Sequence, residues 1–373
     1  MSAKLRILHV GRAVQGYGAE RMVVELLERL RSREMDVGLL TLFEPPAKTR
    51  AASSFPILDA GRKTKSDRFF LPRLVQQIRH FAPDVVHTHT HAGKYWGRIA
   101  AVAAGVSRIV HTEHNPCDFR NRPMMSRVAD RVLHRASVKI VTFFAEQSAA
   151  LGAFEHLPAE KLVVIPNGVR NAHVASAADG QAIRKRLGIA DDQFVVLLIG
   201  RMEYQKNHIL ALRALAALSE ETRRRLMLLF VGDGEDEEML RGLTHAFDLA
   251  SSVRFLGYRT DVPEILAASD LLLMTSWFEG MPLAMLEAML VSVPVVSTPW
   301  TGARNMLGDG RFGFLTAGYE PAQVAAEIER AATHPNLRRE TAGRACRHAQ
   351  QEYHIDRMAG AYGDLYEQLR GVA

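Results

Sequence analysis

The sequence predicts an α/β protein built from two doubly wound domains, each with a parallel sheet covered by helices on both faces. Short runs of β-branched and aliphatic residues alternate with amphipathic helical patterns in both halves of the chain. This alternation is typical of parallel strands joined by helical crossovers. The length of 373 residues is that of two ordinary domains.

The first half carries seven strand-like runs. They are residues 7–10, 37–43, 56–59, 85–89, 108–112, 138–144 and 162–165. Helical patterns at 19–30 and 71–81, and another that ends at Ala104, connect them. The turn-forming Pro166-Asn167-Gly168 then leads to a small, polar, alanine-rich stretch at 171–181, where we predict the interdomain linker.

The second half repeats the alternation. Its predicted strands are residues 194–199, 226–231, 253–256, 271–275 and 293–297. A helix is predicted at 207–218, and the region 323–369 is helical, with a break at Pro335 and a junction at Tyr353-His354. Sheets of this kind bind ligands at the carboxyl ends of their strands. We therefore expect two such domains to face a cleft.

Composition excludes several classes of protein. Cys117 and Cys346 are far apart and lack metal-ligand spacing, which indicates a reducing compartment and neither a disulfide scaffold nor a zinc site. Residues 1–11 do not have the pattern of a signal peptide, and every long apolar run is interrupted. We therefore expect a cytoplasmic protein without a transmembrane helix.

Charge is distributed unevenly. The net charge of +6 divides into +11 over residues 1–177 and −5 over the remainder. A basic half predicts an anionic surface or substrate on that side. Arginines 120, 122, 127, 131 and 135 and Lys139, interleaved with apolar residues, predict a basic amphipathic helix over 120–139. Such a helix can lie on an anionic membrane or pack as an ordinary surface helix. No aromatic platform accompanies the charge, so nucleic-acid binding is not expected.

Two glutamates give the most informative motif. Seven residues separate Glu279, in a turn that opens an apolar helix, from Glu287 within that helix, and Pro282 suits the first helical position. A carboxylate on such a helix is costly unless a polar group pairs with it. The helix start also offers free backbone N–H groups to an anion. A nucleotide sugar would satisfy these features together, and the alternative is a buried glutamate satisfied by the backbone.

A loop after the first strand of the second domain carries two cations. Gly200 allows close backbone approach, and Arg201 and Lys206 follow it. A planar guanidinium and a point charge suit a diphosphate, although solvated surface cations are the alternative. Gly16 and Gly18 in the first domain lack the spacing of a dinucleotide fingerprint, and a helix-opening turn is the preferred interpretation.

Histidines gather near the strand ends of the first domain. His87, His89 and His91 alternate and so share one face, and His114 follows a neighbouring strand. A metal site is conceivable, but no carboxylate–histidine pattern at zinc spacing completes it. We therefore predict a polar patch and no metal.

Taken together, the motifs and their order along the chain resemble those of the retaining glycosyltransferases of family 4, which have the GT-B fold. The likeness covers nearly the whole sequence. It rests on the Glu279 to Glu287 motif, Gly200-Arg201 with Lys206-Asn207, Pro166-Asn167-Gly168-Val169, Pro294-Val295-Val296 and, more weakly, Gly18-Ala19-Glu20-Arg21, Pro83-Asp84-Val85-Val86-His87 and Val231-Gly232-Asp233-Gly234. The fold implies an acceptor-side domain at 1–175, a donor-binding domain at 176–352, and a final helix at 353–373 that packs back on the first domain.

The resemblance implies roles for individual residues. Arg201 and Lys206 would hold the donor diphosphate, Glu279 and His114 would contact the transferred sugar, and Glu287 would bind the ribose. The implied catalytic residues are Glu279, His114, Arg201 and Lys206. The implied donor-binding residues are Gly16, Gly18, Gly200, Arg201, Lys206, Tyr258, Glu279, Gly280, Met281, Pro282, Leu283 and Glu287.

The predicted function is metal-independent transfer of a sugar, with retention of configuration, from a UDP-, GDP- or ADP-sugar to a hydroxyl of a glycan or lipid-linked acceptor, in the synthesis of cell-surface polysaccharide or glycolipid. No cofactor is expected, and we expect peripheral contact with the anionic inner face of the cell membrane. The alternatives are a nucleotide-sugar epimerase or another GT-B enzyme, and a non-catalytic nucleotide-binding module of the same fold.

Overall fold

The computed structural model describes residues 4–14, 18–64, 67, 69–90, 93–114, 124–170 and 175–371. The chain forms two compact units, each with its own parallel sheet. The first unit contains Met1–Gly168 together with Ile355–Ala373, and the second contains Val169–His354. The final helix therefore belongs to the first unit, although it follows the second in sequence.

The first unit has a seven-stranded sheet in the order β3-β2-β1-β4-β5-β6-β7, with all pairs parallel. The strands are β1 (Arg6–Gly11), β2 (Asp36–Thr41), β3 (Ile57–Asp59), β4 (Val85–Thr88), β5 (Ile109–Thr112), β6 (Lys139–Thr142) and β7 (Leu162–Val164). Strands β1, β4 and β5 are almost wholly buried, as expected for central strands covered on both faces. This arrangement brings the carboxyl ends of these three strands side by side.

Helices cover this sheet and follow the sequence pattern closely. They are α1 (Gly18–Ser32), α2 (Ala47–Ala52), α3 (Phe70–Phe81), α4 (Arg98–Ala104), α5 (Met124–Ala136), α6 (Ala145–Glu155) and α16 (Ile355–Arg370). A single turn of π-helix, Gly93–Gly97, runs directly into α4. Such turns are rare and are often found near functional sites. A 3₁₀ turn, Ala159–Lys161, precedes β7.

The second unit has a six-stranded parallel sheet in the order β10-β9-β8-β11-β12-β13. Its strands are β8 (Phe194–Ile199), β9 (Leu226–Val231), β10 (Val253–Phe255), β11 (Leu271–Met274), β12 (Val295–Ser297) and β13 (Phe314–Leu315). Its helices are α7 (Ala177–Arg186), α8 (His208–Ala216), α9 (Glu220–Arg225), α10 (Glu237–Ala246), α11 (Val262–Ala267), α12 (Leu283–Leu290), α13 (Thr301–Leu307), α14 (Pro321–Thr333) and α15 (Pro335–Glu352). Two 3₁₀ turns, Tyr204–Lys206 and Gly308–Gly310, complete the unit.

Two predicted segments differ from the structure. The predicted linker at 171–181 runs into α7, because Ser176 and Asp179 form a capping box that starts this helix at Ala177. The predicted basic helix at 120–139 is helical only over Met124–Ala136. Arg120 and Arg122 lie outside the described residues, and Lys139 is the first residue of β6, where its Nζ donates to the Glu160 carbonyl.

Among the helices that the structure describes, none combines the length and the apolar composition that crossing a membrane requires.

Candidate active site

Two neighbouring strands of the second unit end in glycine-rich loops that pack against each other. The Gly200 N–H donates to the Val231 carbonyl at 2.9 Å, and the Met202 N–H donates to the Asp233 carbonyl at 2.8 Å. A Cβ atom on Gly234 would lie 2.2 Å from the Met202 carbonyl oxygen, so only glycine fits there. This close packing fixes the backbone of the loop that carries Arg201.

Gly200 also makes room for a side chain. Its φ is +155°, and a Cβ atom at this position would lie 2.7 Å from Cε of Lys206. The lysine stem therefore lies directly over the glycine. The absence of a side chain at Gly200 is what allows Lys206 to reach the carboxyl end of β11.

Lys206 meets Glu279 at that point. Its Nζ lies 2.6 Å from Oε1 of the glutamate, which is 7% exposed. Ser276 donates to the same oxygen at 2.7 Å, and Gln205 Nε2 donates to Oε2 at 3.1 Å. Both oxygens of the buried carboxylate are therefore satisfied, as its burial requires. The sequence motifs on two separate loops form one cluster.

Arg201 lies on the same loop in a more open position. Its guanidinium is about half exposed and pairs with Glu203 at 2.9 Å. An ion pair at this exposure holds a side chain only weakly. Arg201 is therefore the more exposed of the two cations, whereas Lys206 is held by the buried carboxylate.

Helix α12 begins one residue later than the sequence analysis predicts. Pro282 is its N-cap and not its first residue, and the helix starts at Leu283. The first-turn N–H groups of any helix lack intrahelical acceptors. Gly280 and Met281 are buried just before this start. The turn thus connects the Glu279 carboxylate directly to a helix N-terminus.

The buried carboxylate of the glutamate motif is Glu279 and not Glu287. The sequence argument expected the costly acid on the apolar helix, but Glu287 is only partly buried. It lies on the less buried side of α12, with Ala284 and Val291. Glu279 is therefore the carboxylate whose burial is costly, and its ion pair with Lys206 offsets that cost.

Three aromatic side chains near Lys206 or Glu279 in sequence, or packed on such a residue, stack on one another. Trp277 stacks on Tyr319 with ring centroids 4.7 Å apart, and Tyr204 stacks more loosely at 6.4 Å from Trp277. The Tyr319 hydroxyl donates to the Trp277 carbonyl at 3.2 Å. Sequence analysis did not single out these rings, although Tyr204 and Trp277 each lie two residues before a member of the ion pair. Tyr258, on the loop after β10, is separately exposed.

In the first unit, His114 follows β5 and is partly buried. Its Nε2 lies 3.2 Å from Nδ1 of His89, which follows β4. His89 Nε2 in turn lies 2.9 Å from Nδ1 of His9 on β1. Burial lowers the pKa of His9 to about 3 and that of His114 to about 4, so both rings are neutral at pH 7.

His9 was missed by the sequence analysis. A single polar residue inside the apolar strand Arg6–Gly11 gives no signal of its own, and only the pairing of β1 with β4 places it opposite His87. His9, His87 and His89 bring nitrogens within 4.8 Å of one another, a set that could hold a metal ion. The predicted neighbour His91 lies outside the described residues.

A buried ion cluster lies beside His114. Lys94 of the π-helix contacts the Glu113 carboxylate at 2.6 Å and Asp130 of α5 at 3.4 Å. Although burial opposes ionisation, Lys94 holds the pKa of Glu113 well below its usual range. The cluster fixes α5 and the segment before His114 to the same lysine.

The predicted glycines of the first unit are placed only in part. Gly18 is the first residue of α1, whereas Gly16 lies outside the described residues. The structure brings Lys206 and Glu279 into contact and places Gly200 against Lys206. The roles of these residues towards a substrate remain predictions.

Comparison with known proteins identifies the family. Residues 17–172 match Glycosyltransferase Family 4, and residues 179–347 match Glycosyl transferases group 1. The D-inositol 3-phosphate glycosyltransferase of Actinosynnema mirum is 31% identical over 309 residues, which cover 78% of this chain and 73% of that protein. The chain belongs to the family 4, group 1 glycosyltransferases. It is therefore an enzyme that transfers glycosyl groups, and the resemblance stated from its motifs is confirmed.

A further curated protein and a solved structure are also similar to this chain. The UDP-Gal:alpha-D-GlcNAc-diphosphoundecaprenol alpha-1,3-galactosyltransferase of Escherichia coli is 27% identical over 328 residues, 84% of each chain. HepE from Anabaena, solved in complex with UDP and glucose, superimposes with a TM-score of 0.86 at 22% identity and covers 98% of this chain and 100% of its own. The predicted GT-B fold of this glycosyltransferase is thereby confirmed.

Proposed function

We propose that this glycosyltransferase moves a sugar from a UDP-sugar to a hydroxyl group of a lipid-linked glycan, with retention of anomeric configuration and without a metal ion. The observation that carries the proposal is the Lys206–Glu279 pair at the strand ends of the second unit, with Arg201 on the same loop. The Anabaena complexes with UDP favour uridine as the base. The Escherichia coli relative, whose acceptor is a diphosphoundecaprenol-linked sugar, favours a lipid-linked acceptor.

The cations suit a departing diphosphate. Lys206 is held in place by its carboxylate partner, while the guanidinium of Arg201 is about half exposed and so accessible to an anion. Fixed positive charge that faces developing negative charge lowers the barrier to leaving-group departure. Two such cations can supply the charge stabilisation for which other transferases use a divalent ion.

The surroundings of Glu279 argue against a covalent glycosyl–enzyme intermediate. Its two oxygens already accept from Lys206, Ser276 and Gln205, so it is poorly placed to attack the anomeric carbon. In the proposed step the bond from the anomeric carbon to the phosphate oxygen breaks and a bond to the acceptor oxygen forms on the same face. The acceptor proton passes to the departing phosphate.

Purified protein incubated with UDP-, GDP- and ADP-sugars and a lipid-diphosphate sugar acceptor tests this proposal. We expect transfer from a UDP-sugar that persists in EDTA, and an unchanged anomeric configuration in the product by NMR. Lys206→Met with Arg201→Ala should abolish transfer, whereas Lys185→Met, the other lysine of the second unit, should leave it unchanged. Inversion, or full activity of the double variant, would overturn the mechanism. Interconversion of the donor without acceptor would instead indicate an epimerase.

We further propose that helix α5 contacts an anionic membrane, where a lipid-linked acceptor would be found. Its inward side carries Asp130, Leu133 and His134, and its outward side leaves four apolar side chains exposed. These are Met124 (78%), Met125 (83%), Val128 (58%) and Val132 (57%). Arg127 and Arg135 are exposed on the same helix. Exposed apolar side chains beside arginines suit the boundary between headgroups and acyl chains.

Sedimentation with liposomes tests this contact. We expect binding to vesicles that contain phosphatidylglycerol, weaker binding at high salt, and little binding to neutral vesicles. Met125→Glu with Val128→Glu should abolish it, whereas Met239→Glu, at an exposed methionine of the second unit, should not. Equal vesicle binding by the Met125→Glu, Val128→Glu double variant and by Met239→Glu would contradict the proposed membrane contact.

A further inference from the structure

A continuous chain of hydrogen bonds runs from His114 to the last helix of the protein. Its links are His114 Nε2–His89 Nδ1 (3.2 Å), His89 Nε2–His9 Nδ1 (2.9 Å), His9 Nε2–Tyr366 Oη (3.2 Å), Tyr366 Oη–His87 Nδ1, His87 Nε2–Thr112 Oγ1 (2.8 Å) and Thr112 Oγ1–Tyr362 Oη (3.1 Å). Every member except His114 is fully buried. All lie in the first unit, because α16 supplies both tyrosines. We call this set the imidazole chain.

The rings of the chain are neutral. Burial lowers the pKa of His9 to about 3, and it lowers the pKa of His87 and of His89 well below the ordinary value. Burial likewise raises the pKa of the Tyr366 hydroxyl well above its usual range. At pH 7 each imidazole therefore carries one proton, and each hydroxyl carries one.

This count of protons leaves only two arrangements. A neutral imidazole has one donor nitrogen and one acceptor nitrogen, and both nitrogens of His9, His87 and His89 are used. Among the described residues, His9 and His87 are the only hydrogen-bond partners of the Tyr366 hydroxyl, so it donates its single proton to one ring and accepts from the other. If one ring donates towards His114, the next must therefore do so as well. All hydrogen bonds of the imidazole chain therefore run in one donor-to-acceptor direction, either towards His114 or away from it.

Tyr362 decides between the two directions. Among the described residues, Thr112 Oγ1 is the hydrogen-bond partner that the structure gives its buried hydroxyl. If the chain pointed away from His114, Thr112 would donate to Tyr362, and the tyrosine proton would be buried without an acceptor. Such an unsatisfied donor is costly. Tyr362 must donate to Thr112, and every later link then points towards His114.

We propose that Tyr362 orients this chain and thereby holds His114 in the neutral Nδ1–H tautomer, which presents a hydrogen-bond donor to an oxygen of a sugar substrate. His89 Nδ1–H donates to His114 Nε2 in this arrangement, which places the His114 proton on the opposite nitrogen. Among the described residues no other hydrogen bond uses that nitrogen. Tyr362, Thr112, His87, Tyr366, His9 and His89 are positioning residues, and only His114 would touch substrate. The contact with sugar rests on the proposed function, whereas the tautomer does not.

The same geometry disfavours a metal ion at His9, His87 and His89. Their converging nitrogens could ligate a cation, but all of them are engaged in the imidazole chain. A metal would need one free lone pair from each ring, whereas in the chain the unprotonated nitrogen of each ring already accepts a hydrogen bond from the preceding member. A metal ion and the hydrogen bonds of the imidazole chain therefore cannot use these three rings at the same time.

Long-range ¹H–¹⁵N spectra of protein labelled with [¹⁵N]histidine measure the tautomer directly, with His114→Gln used to assign the signal. We expect the Nδ1–H form of His114, although free neutral histidine prefers Nε2–H. Tyr362→Phe keeps the buried ring but removes the orienting proton, so we expect the Nε2–H form to appear. Tyr353→Phe, at a buried tyrosine of the second unit, should change nothing. An Nε2–H signal in the unaltered protein, or no change in Tyr362→Phe, would overturn the inference.

Two further measurements separate this inference from the proposed function. Tyr362→Phe should lower kcat about tenfold, the worth of one hydrogen bond to the sugar, with little change in the acceptor KM. If the tautomer responds as expected but no UDP-sugar is used, the chain stands and the proposed function fails. Titration with Co²⁺, followed by its visible absorption, should show no stoichiometric site. A stoichiometric site that is lost in His9→Gln would overturn the chain.

Discussion

Lys206 and Glu279 are 73 residues apart in sequence, yet their Nζ and Oε1 atoms lie 2.6 Å apart in a largely buried ion pair. Because Ser276 and Gln205 also bind the carboxylate, the pair orders the carboxyl ends of two strands. Stability and the proposed donor binding therefore involve the same contact.

Removing one partner of this pair should cost more than removing both. Lys206→Met leaves a buried carboxylate without its cation, a change worth about 3 kcal/mol of unfolding free energy. Lys206→Met with Glu279→Met should recover part of that loss, because no buried charge remains. Chemical denaturation of the two single variants and the double variant measures the coupling. Strictly additive losses would show that the pair contributes little to stability.

Gly200→Ala should impair donor binding more than folding. The added Cβ would meet Cε of Lys206 at 2.7 Å, and the flexible lysine stem would yield before the strand does. We expect weaker UDP binding by calorimetry and a modest fall in melting temperature.

Gly242→Ala is the matched control for this change. A Cβ there meets nothing within 4 Å inside helix α10, so it should leave binding unchanged and stabilise the helix by about 0.5–1 kcal/mol. Equal UDP affinities for Gly200→Ala and the parent protein would contradict the proposed role of Lys206.

Lys94→Met should destabilise the first unit strongly. Its amine is buried between Glu113 and Asp130, so its removal leaves two buried acids facing each other. We expect a loss of about 3–5 kcal/mol. Lys139 is only partly buried and its amine donates to one carbonyl, so it is the control and should cost less than about 1 kcal/mol when changed to Met. Comparable melting temperatures for the two variants would contradict this account.

Stability should fall as the pH drops below 6.5. Burial lowers the folded-state pKa of His9, His111 and His208 to about 3, whereas their unfolded value is near 6.5. The unfolded chain therefore binds more protons between these values, so stability is complete above pH 6.5 and is lost as the pH falls. Each such histidine contributes up to about 1.4 kcal/mol per pH unit.

Melting temperatures at pH 7.5, 6.5 and 5.5 measure this effect before most carboxylates titrate. His208→Gln removes one of these titrating imidazoles. It should therefore make the fall in stability with decreasing pH shallower, even though it also lowers stability at pH 7.5. A flat profile between pH 7.5 and 5.5 would contradict the burial of neutral imidazoles.

The sequence was sufficient to predict most of the fold, because parallel strands and amphipathic helices have strong periods. The break at Pro335 and the junction at Tyr353-His354 separate α14, α15 and α16 as predicted. The two-residue strand β13 and the π-helix Gly93–Gly97 were not predicted. A two-residue strand has no period to detect, and a π-helix differs from an α-helix in hydrogen bonding and not in composition.

The sequence was sufficient to predict those site residues that belong to a local motif of suitable chemistry. It was not sufficient where only the tertiary structure brings residues together. Lys206 and Glu279 stood out as polar residues at the ends of apolar strands. Glu287 was assigned the wrong burial, although Ala284 three residues earlier marks the less packed side of its helix. Tyr362 and Tyr366 gave no signal, because a tyrosine on an amphipathic helix looks like any core residue.

The placement of helix α16 affects how this enzyme can be recombined with its relatives. A hybrid joined at a single point near Gly168 would combine one parent's histidines with the other parent's Tyr362 and Tyr366. Exchange of the second unit should therefore use two junctions, near Gly168 and His354, so that helix α16 stays with the rest of the first unit. For the same reason, purification tags and fusions are better placed at the amino terminus.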